Sequence, residues 1–281
     1  MLCILVLRAY YNQYAERSNY MKRICAALFA AVFISSLCVP VLSSSRDAST
    51  PMNWYCRHVK NGETPVLDPQ FAFIEKYDAV YLDKNANPEN KTVYLTFDAG
   101  YENGNVGKIL DILNEKNVKG AFFILENIAK KEPELVKRIA EGGHTICNHT
   151  AIHRDMTSVR TKEEFAAELD RLNDCVRETC GVEVSEYYRP PEGRFNESNL
   201  IWASELGYKT VFWSFAYADW DNDRQMKPED ALTKIIEGAH PGEVLLLHPT
   251  SATNAAVLSD LIDKFREMGY TFSTLDKLCS K

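Results

Sequence analysis

The chain has 281 residues, 46% of them hydrophobic and 25% charged, with a formal charge of -7. That length and apolar content suffice to bury a full core as one large domain or two small ones. The mildly acidic balance lacks the basic face that binding of DNA or RNA requires, so no nucleic-acid partner is expected.

Chain order begins with a targeting pattern. Lys22 and Arg23 precede an apolar run from Ile24 to Leu42 that ends in Ser43, Ser44 and Ser45. We read residues 1–45 as an export signal or membrane anchor, with Met21 as the natural start of its charged region and residues 1–20 as an upstream start-site artefact. Leu37 before Cys38 argues against lipidation. The protein is therefore expected outside the cytoplasm, in the cell wall or on the membrane facing outward, as a monomer.

Residues 46–90 are rich in Pro, Asn, Asp and aromatics without sustained periodicity, which predicts an extended arm packed on the main domain at 91–281. From Thr92 on, short apolar or β-branched runs of strand length recur: Thr92 to Phe97, Ala121 to Leu125, His144 to Cys147, Glu186 to Arg189, Thr210 to Trp213, Glu243 to Leu247 and Tyr270 to Phe272. Between them lie apolar stripes at helical spacing, Val106/Ile109/Leu110/Leu113, Leu135/Val136/Ile139/Ala140 and Phe165/Leu169/Leu172/Val176. Thr161 and Glu164 form a capping-box pattern, and Gly207 and Gly269 stand where helices should stop. Such alternation implies parallel strands joined by crossover helices, and seven strands favour a closed or nearly closed α/β barrel. No Gly-x-Gly-x-x-Gly follows the first strand and no Walker lysine is present, so nucleotide cofactors are not expected.

Outside the targeting region five cysteines remain, Cys56, Cys147, Cys175, Cys180 and Cys279. The odd number leaves at least one free thiol. Cys175 with Cys180, or Cys56 with Cys279, are the pairs that could bridge, and no spacing resembles a zinc–cysteine cluster.

Chemistry-bearing side chains collect at the ends of the strand-like runs, where an α/β barrel exposes its reacting groups. Asp98 follows Phe97 and precedes Ala99 and Gly100. His149 and His153 are four apart, a spacing that puts both imidazoles within reach of one borderline divalent cation. Arg189, Pro190, Pro191, Glu192 and Gly193 read as a stiff loop, with an N–H at Glu192 or Gly193 available to an oxyanion and Arg189 available to hold Asp98 ionised. Asp219 and Trp220 lie in an aromatic stretch suited to sugar rings. His248 ends a fully apolar strand, where a carboxylate such as Asp219 would keep its imidazolium ready to donate a proton.

Taken in order, these stretches resemble the polysaccharide deacetylase family with its NodB homology domain, over about Thr92 to Leu278. The resemblance implies a distorted (β/α)7 barrel with a short N-terminal arm and hydrolysis of N-acetyl groups on amino sugars. It assigns Asp98 as general base, His149 and His153 as metal ligands, Arg189 as the orienter of the base, Asp219 as the residue tuning the acid and His248 as the acid. Pro191, Glu192, Gly193, Trp220 and Leu246 fall at substrate-lining positions, the last two around the acetyl methyl group. The family's first motif usually carries a second Asp as third metal ligand, where this chain has Ala99. A divalent ion, Zn²⁺ foremost with Mn²⁺, Co²⁺ and Mg²⁺ as alternatives, would then be held weakly or not at all.

The stretch Thr96 to Gly104, with Trp54, Tyr55 and Pro65 to Tyr77 upstream, is similar to the muramic delta-lactam branch of that family. This implies deacetylation of N-acetylmuramic acid in peptidoglycan glycan strands during spore-cortex formation. The alternatives are another acetylated polymer, such as N-acetylglucosamine in peptidoglycan, chitin oligomers or xylan esters, and a non-catalytic glycan-binding module.

Overall fold

The computed structural model describes residues 47–279, which form one compact unit. The expected export segment lies outside the described residues, and within them no helix is long and apolar enough to cross a membrane.

The central sheet has seven strands, all parallel, and matches the expected alternation. Strand β2 (Thr92–Ala99) is its axis, followed along the chain by β3 (Gly120–Ile124), β4 (Thr145–Asn148), β5 (Tyr187–Tyr188), β7 (Lys209–Thr210), β8 (Glu243–Leu247) and β9 (Thr271–Phe272). The spatial order is β7-β5-β4-β3-β2-β8, with β9 pairing β2 beside β8's register. Two further two-residue strands, β1 (Met52–Asn53) and β6 (Arg194–Phe195), pair antiparallel in a separate ladder. Every residue of β3 and β8 is buried, as parallel strands covered on both faces require.

Among the described residues eight helices flank the sheet: α1 (Val106–Glu115), α2 (Glu126–Lys131), α3 (Pro133–Glu141), α4 (Lys162–Cys180), α5 (Glu197–Glu205), α6 (Pro228–Gly238), α7 (Ala252–Glu267) and α8 (Leu275–Leu278). The apolar stripes of α1 and α4 are buried as read, and in α3 Ala140 alone is half-exposed. Thr161 Oγ1 accepts from Glu164 N at 3.2 Å, while the Glu164 carboxylate reaches back to Arg160 N instead of the cap residue itself. Gly207 and Gly269 take φ of +84° behind α5 and α7, the left-handed stop that glycine adopts without steric cost.

Closure is achieved by the arm. The open gap between β7 and β8 is spanned by Val80, which bridges Val211, and Leu82, which bridges Glu243, while Phe215 reaches Leu245. The arm also buries Trp54, which stacks on Phe212 at 4.3 Å and donates its indole N–H to Trp213 O at 2.9 Å. The expected extended arm is thus a structural part of the barrel wall.

The five cysteines among the described residues are all free thiols, so neither expected bridge forms. Cys175 and Cys180 sit five residues apart on the single helix α4, a spacing that turns their Cβ atoms to different sides. Cys56 is half-buried near Glu243, and desolvation pushes its thiol up to about 12. Cys279 lies instead against the Tyr94 and Tyr187 cluster.

Gly242 joins arm to barrel. Its φ is +78° and an added Cβ would fall on the carbonyl oxygen of Asp83, whose N–H donates to Gly242 O at 2.9 Å. Gly242→Ala should therefore lower stability by about 2 kcal/mol or more in urea unfolding; a value within about 0.5 kcal/mol of wild type, the range of an ordinary surface exchange, would contradict this account of closure.

Candidate active site

Strand register gathers the site. Phe97 pairs with Leu247 across β2 and β8, so one step further Asp98 stands level with His248. On the other side Asn148 pairs with Tyr188, which brings His149 level with Arg189. Asp98 lies one residue inside β2 rather than beyond its end, since the ladder runs on to Ala99.

Arg189 is fully buried, and each of its three guanidinium nitrogens donates a hydrogen bond. Nε donates to Val211 O at 2.9 Å, Nη1 to Asp98 Oδ1 at 2.8 Å, and Nη2 to Thr96 Oγ1 at 2.9 Å and Phe212 O at 3.3 Å. The Phe123 ring faces it at 4.1 Å. Thr96 and Asp98 alternate on the same face of β2, so one planar fork reads both. Burial alone would raise the Asp98 carboxyl, but the charge and hydrogen bond of the Arg189 guanidinium, with help from His248, outweigh this and hold the group below its ordinary value.

His149 is buried, with Nδ1 2.9 Å from Arg189 O. A carbonyl can only accept, so Nδ1 carries the proton and Nε2 keeps its lone pair. That Nε2 lies 3.6 Å from Asp98 Oδ2. Burial, the dominant cause, lowers His149 to about 4, leaving a neutral imidazole. The exposed His153 ring stands 5.1 Å away, nearly perpendicular. Both histidines lie in a loop rather than on a helical turn, with Thr150 and His153 at φ of +69° and +59°.

These two imidazoles suit a zinc-type ion as donors, with the His149 tautomer fixed by a backbone carbonyl as ligating histidines usually are. A third protein ligand is lacking: Ala99 packs in the apolar cluster between sheet and helices, and no group of three His, Cys, Asp or Glu suited to a metal occurs among the described residues.

His248 sits across the cleft. Its Nδ1 lies 2.7 Å from Asp219 Oδ1 and its backbone N–H donates to Asp219 Oδ2 at 2.8 Å. Burial tends to lower this imidazolium, but the Asp219 hydrogen bond and charge overcome it, and the net direction is up. The paired carboxylate turns Nε2 towards the cleft as a donor.

The cleft, about 630 Å³, is lined by Asp98, His149, His153, Glu192, Trp220, Leu246 and His248 among others. Pro191 and Gly193 are buried and shape the turn from behind. Gly193 cannot serve an oxyanion, because its N–H is taken by Pro190 O at 3.1 Å. Glu192 holds φ of +58°, a strained conformation for a residue with a Cβ.

Two supporting residues escaped the sequence. Thr96 Oγ1 donates to Leu245 O while accepting from Arg189, and Asn254 Nδ2 donates to Asp219 Oδ2 at 2.6 Å. Asn254 is an ordinary polar residue in the first turn of α7, with no pattern linking it to Asp219.

A model of the family described as polysaccharide deacetylase matches residues 85–211. The peptidoglycan-N-acetylmuramic acid deacetylase PdaA of Bacillus subtilis is 39% identical over 259 residues, covering 92% of this chain and 96% of PdaA. The chain belongs to the polysaccharide deacetylase family. A solved structure of Bacillus subtilis PdaA, described as a family 4 carbohydrate esterase, superposes with a TM-score of 0.77 at 41% identity, over 82% of this chain and 97% of that one. A peptidoglycan-N-acetylglucosamine deacetylase of Bacillus cereus is 32% identical over 213 residues, 74% of each chain. The curled parallel sheet is therefore the (β/α)7 barrel of this deacetylase family.

The two paired groups make a pH profile with a defined sign. If His248 works protonated, the rate falls as pH rises through its raised value. Asp219→Asn removes the anion that raises it, so the alkaline limb should move to lower pH; an unmoved limb would refute the pairing. Asp98→Asn and His248→Ala should each lower kcat by about 10²- to 10⁴-fold with thermal unfolding retained, and near-full turnover by either would refute its role.

Proposed function

We propose that this protein hydrolyses the N-acetyl group of N-acetylmuramic acid in the glycan strands of peptidoglycan. The observation that carries this reading is the pairing of a buried carboxylate held ionised by Arg189 with an imidazole held protonated by Asp219, on facing walls of one cleft. Similarity to PdaA over nearly its full length supports the choice of sugar. A complete acid–base set argues against a module that only binds glycan.

Asp98 takes a proton from a water as its oxygen attacks the acetyl carbonyl. The Glu192 N–H, the turn donor that remains once Gly193 is committed, is assigned to the oxyanion. His248 Nε2 then protonates the nitrogen as the carbon–nitrogen bond breaks, giving acetate and a free amine. Leu246 and Trp220 enclose the acetyl methyl. A divalent ion of the zinc type on His149 and His153, completed by waters, would supply polarisation of the carbonyl and a more acidic water. With two protein donors its hold is weak.

The polymer is extracytoplasmic, and we place the protein there as an exported monomer, with residues 1–45 as signal or anchor. The freed muramic amine lies next to the lactyl carboxyl of its own sugar and can close to a lactam, which fits a role in spore cortex.

Acetate release from glycan strands stripped of stem peptide, compared with intact strands, tests the assignment. We expect muramic residues to lose acetyl groups, chelation to lower the rate and added Zn²⁺, Mn²⁺ or Co²⁺ to restore it. Loss confined to glucosamine residues would move the specificity to the other sugar. No acetate under any metal, with glycan binding retained, would make the chain a binding module.

A further inference from the structure

Tyr101 is an exposed aromatic side chain that the reaction leaves unused. Six large hydrophobic side chains are exposed among the described residues, and two of them, Tyr101 at 43% and Trp220 at 60%, line the cleft. Trp220 packs edge-on to His248, with ring centroids 6.0 Å apart. Tyr101 makes no ring contact with another aromatic side chain among the described residues, and its hydroxyl accepts a hydrogen bond from Asn222 Nδ2. Asn222 belongs to the loop that carries Asp219 and Trp220, so the bond ties the two lips of the cleft together.

The loop beneath Tyr101 is rigid. Asn127 Nδ2 donates to Gly100 O at 3.0 Å, the Glu102 carboxylate accepts from Gly104 N and Val106 N at 2.7 and 3.0 Å, and Asn103 Nδ2 donates to Thr250 O at 2.8 Å. An apolar ring face is thus held towards solvent by a fixed backbone and a fixed hydroxyl, a preorganised surface rather than a side chain in search of a core. No Lys or Arg lines the cleft, so Tyr101 has no long cationic side chain beside it. A flat, mostly apolar face with hydroxyls at its edge, the face of a pyranose ring, is the partner that chemistry suits.

We propose that Tyr101, positioned by Asn222, forms a subsite for the sugar next to the one deacetylated, so that the enzyme reads a run of strand instead of a single amino sugar. This rests on the reading of the cleft as a glycan deacetylase.

Peptide-free muramic glycan fragments of increasing length provide the test, with kcat/KM measured for wild type, Tyr101→Ala, Tyr101→Phe and Asn222→Ala. Wild-type efficiency should rise with length. Tyr101→Ala should flatten that rise by about five- to tenfold, mainly through KM, as expected for one aromatic contact. Tyr101→Phe should keep most of the rise, and Asn222→Ala should fall between. A Tyr101→Ala variant that loses the same factor at every length overturns the subsite, and a Phe variant as poor as Ala overturns stacking as its basis. Calorimetric binding of the same fragments in an Asp98→Asn background separates the two readings: length-dependent binding that needs Tyr101 without acetate release from wild type sinks the catalytic reading and leaves the subsite standing.

Discussion

The bond between Arg189 and Asp98 is the interaction on which the site depends. A guanidinium with no exposure to water is tolerable only when it is paired and hydrogen-bonded, and here each nitrogen finds an acceptor from β2 or from the segment following β7. The same residue's carbonyl fixes the tautomer of His149. One buried residue therefore holds Asp98 ionised through its side chain, fixes the tautomer of the neighbouring imidazole through its carbonyl and ties three parts of the barrel together. Lysine, with a point charge in place of a planar fork, could not make this set of bonds.

The opposite wall repeats the logic with the signs reversed. Asp219 is buried and holds His248 through both the ring and the backbone, while Asn254 steadies the carboxylate. Their environments push Asp98 and His248 apart in acidity, Asp98 downward and His248 upward, the arrangement that the proposed base and acid of an amide hydrolysis require. The arm contributes indirectly: Trp54 donates its backbone N–H to Gly193 O and its indole to Trp213 O, pinning the turn that carries Glu192 and the ring at the back of the cleft.

The barrel was legible because its strands are short apolar blocks between amphipathic helices. β8 matches its expected bounds, and β2 to β4 differ by one or two residues. β7 is shorter than its run suggests, because from Val211 on the chain turns to bridge the arm and β8, a tertiary choice that local pattern does not encode. Asp98, His149, Arg189 and His248 stood out by residue type at strand ends, and the fold brings them together. Gly193's commitment to Pro190, the support from Thr96 and Asn254 and the failure of the cysteine pairs depend on three-dimensional geometry that composition and spacing do not carry. Ala99 was legible as a departure, and its packing between sheet and helices explains why nothing at that position substitutes for a ligand.

A double-mutant cycle on Arg189 and Asp98, read by urea unfolding of metal-free Arg189→Met, Asp98→Asn and the double variant, bears most directly on the central bond. Each single change strands a buried polar or charged partner, so the double variant should be more stable than the sum of the singles predicts, with a coupling of about 2 kcal/mol or more. Additivity within about 0.5 kcal/mol would mean the two residues do not depend on each other, and the account of the site would fail.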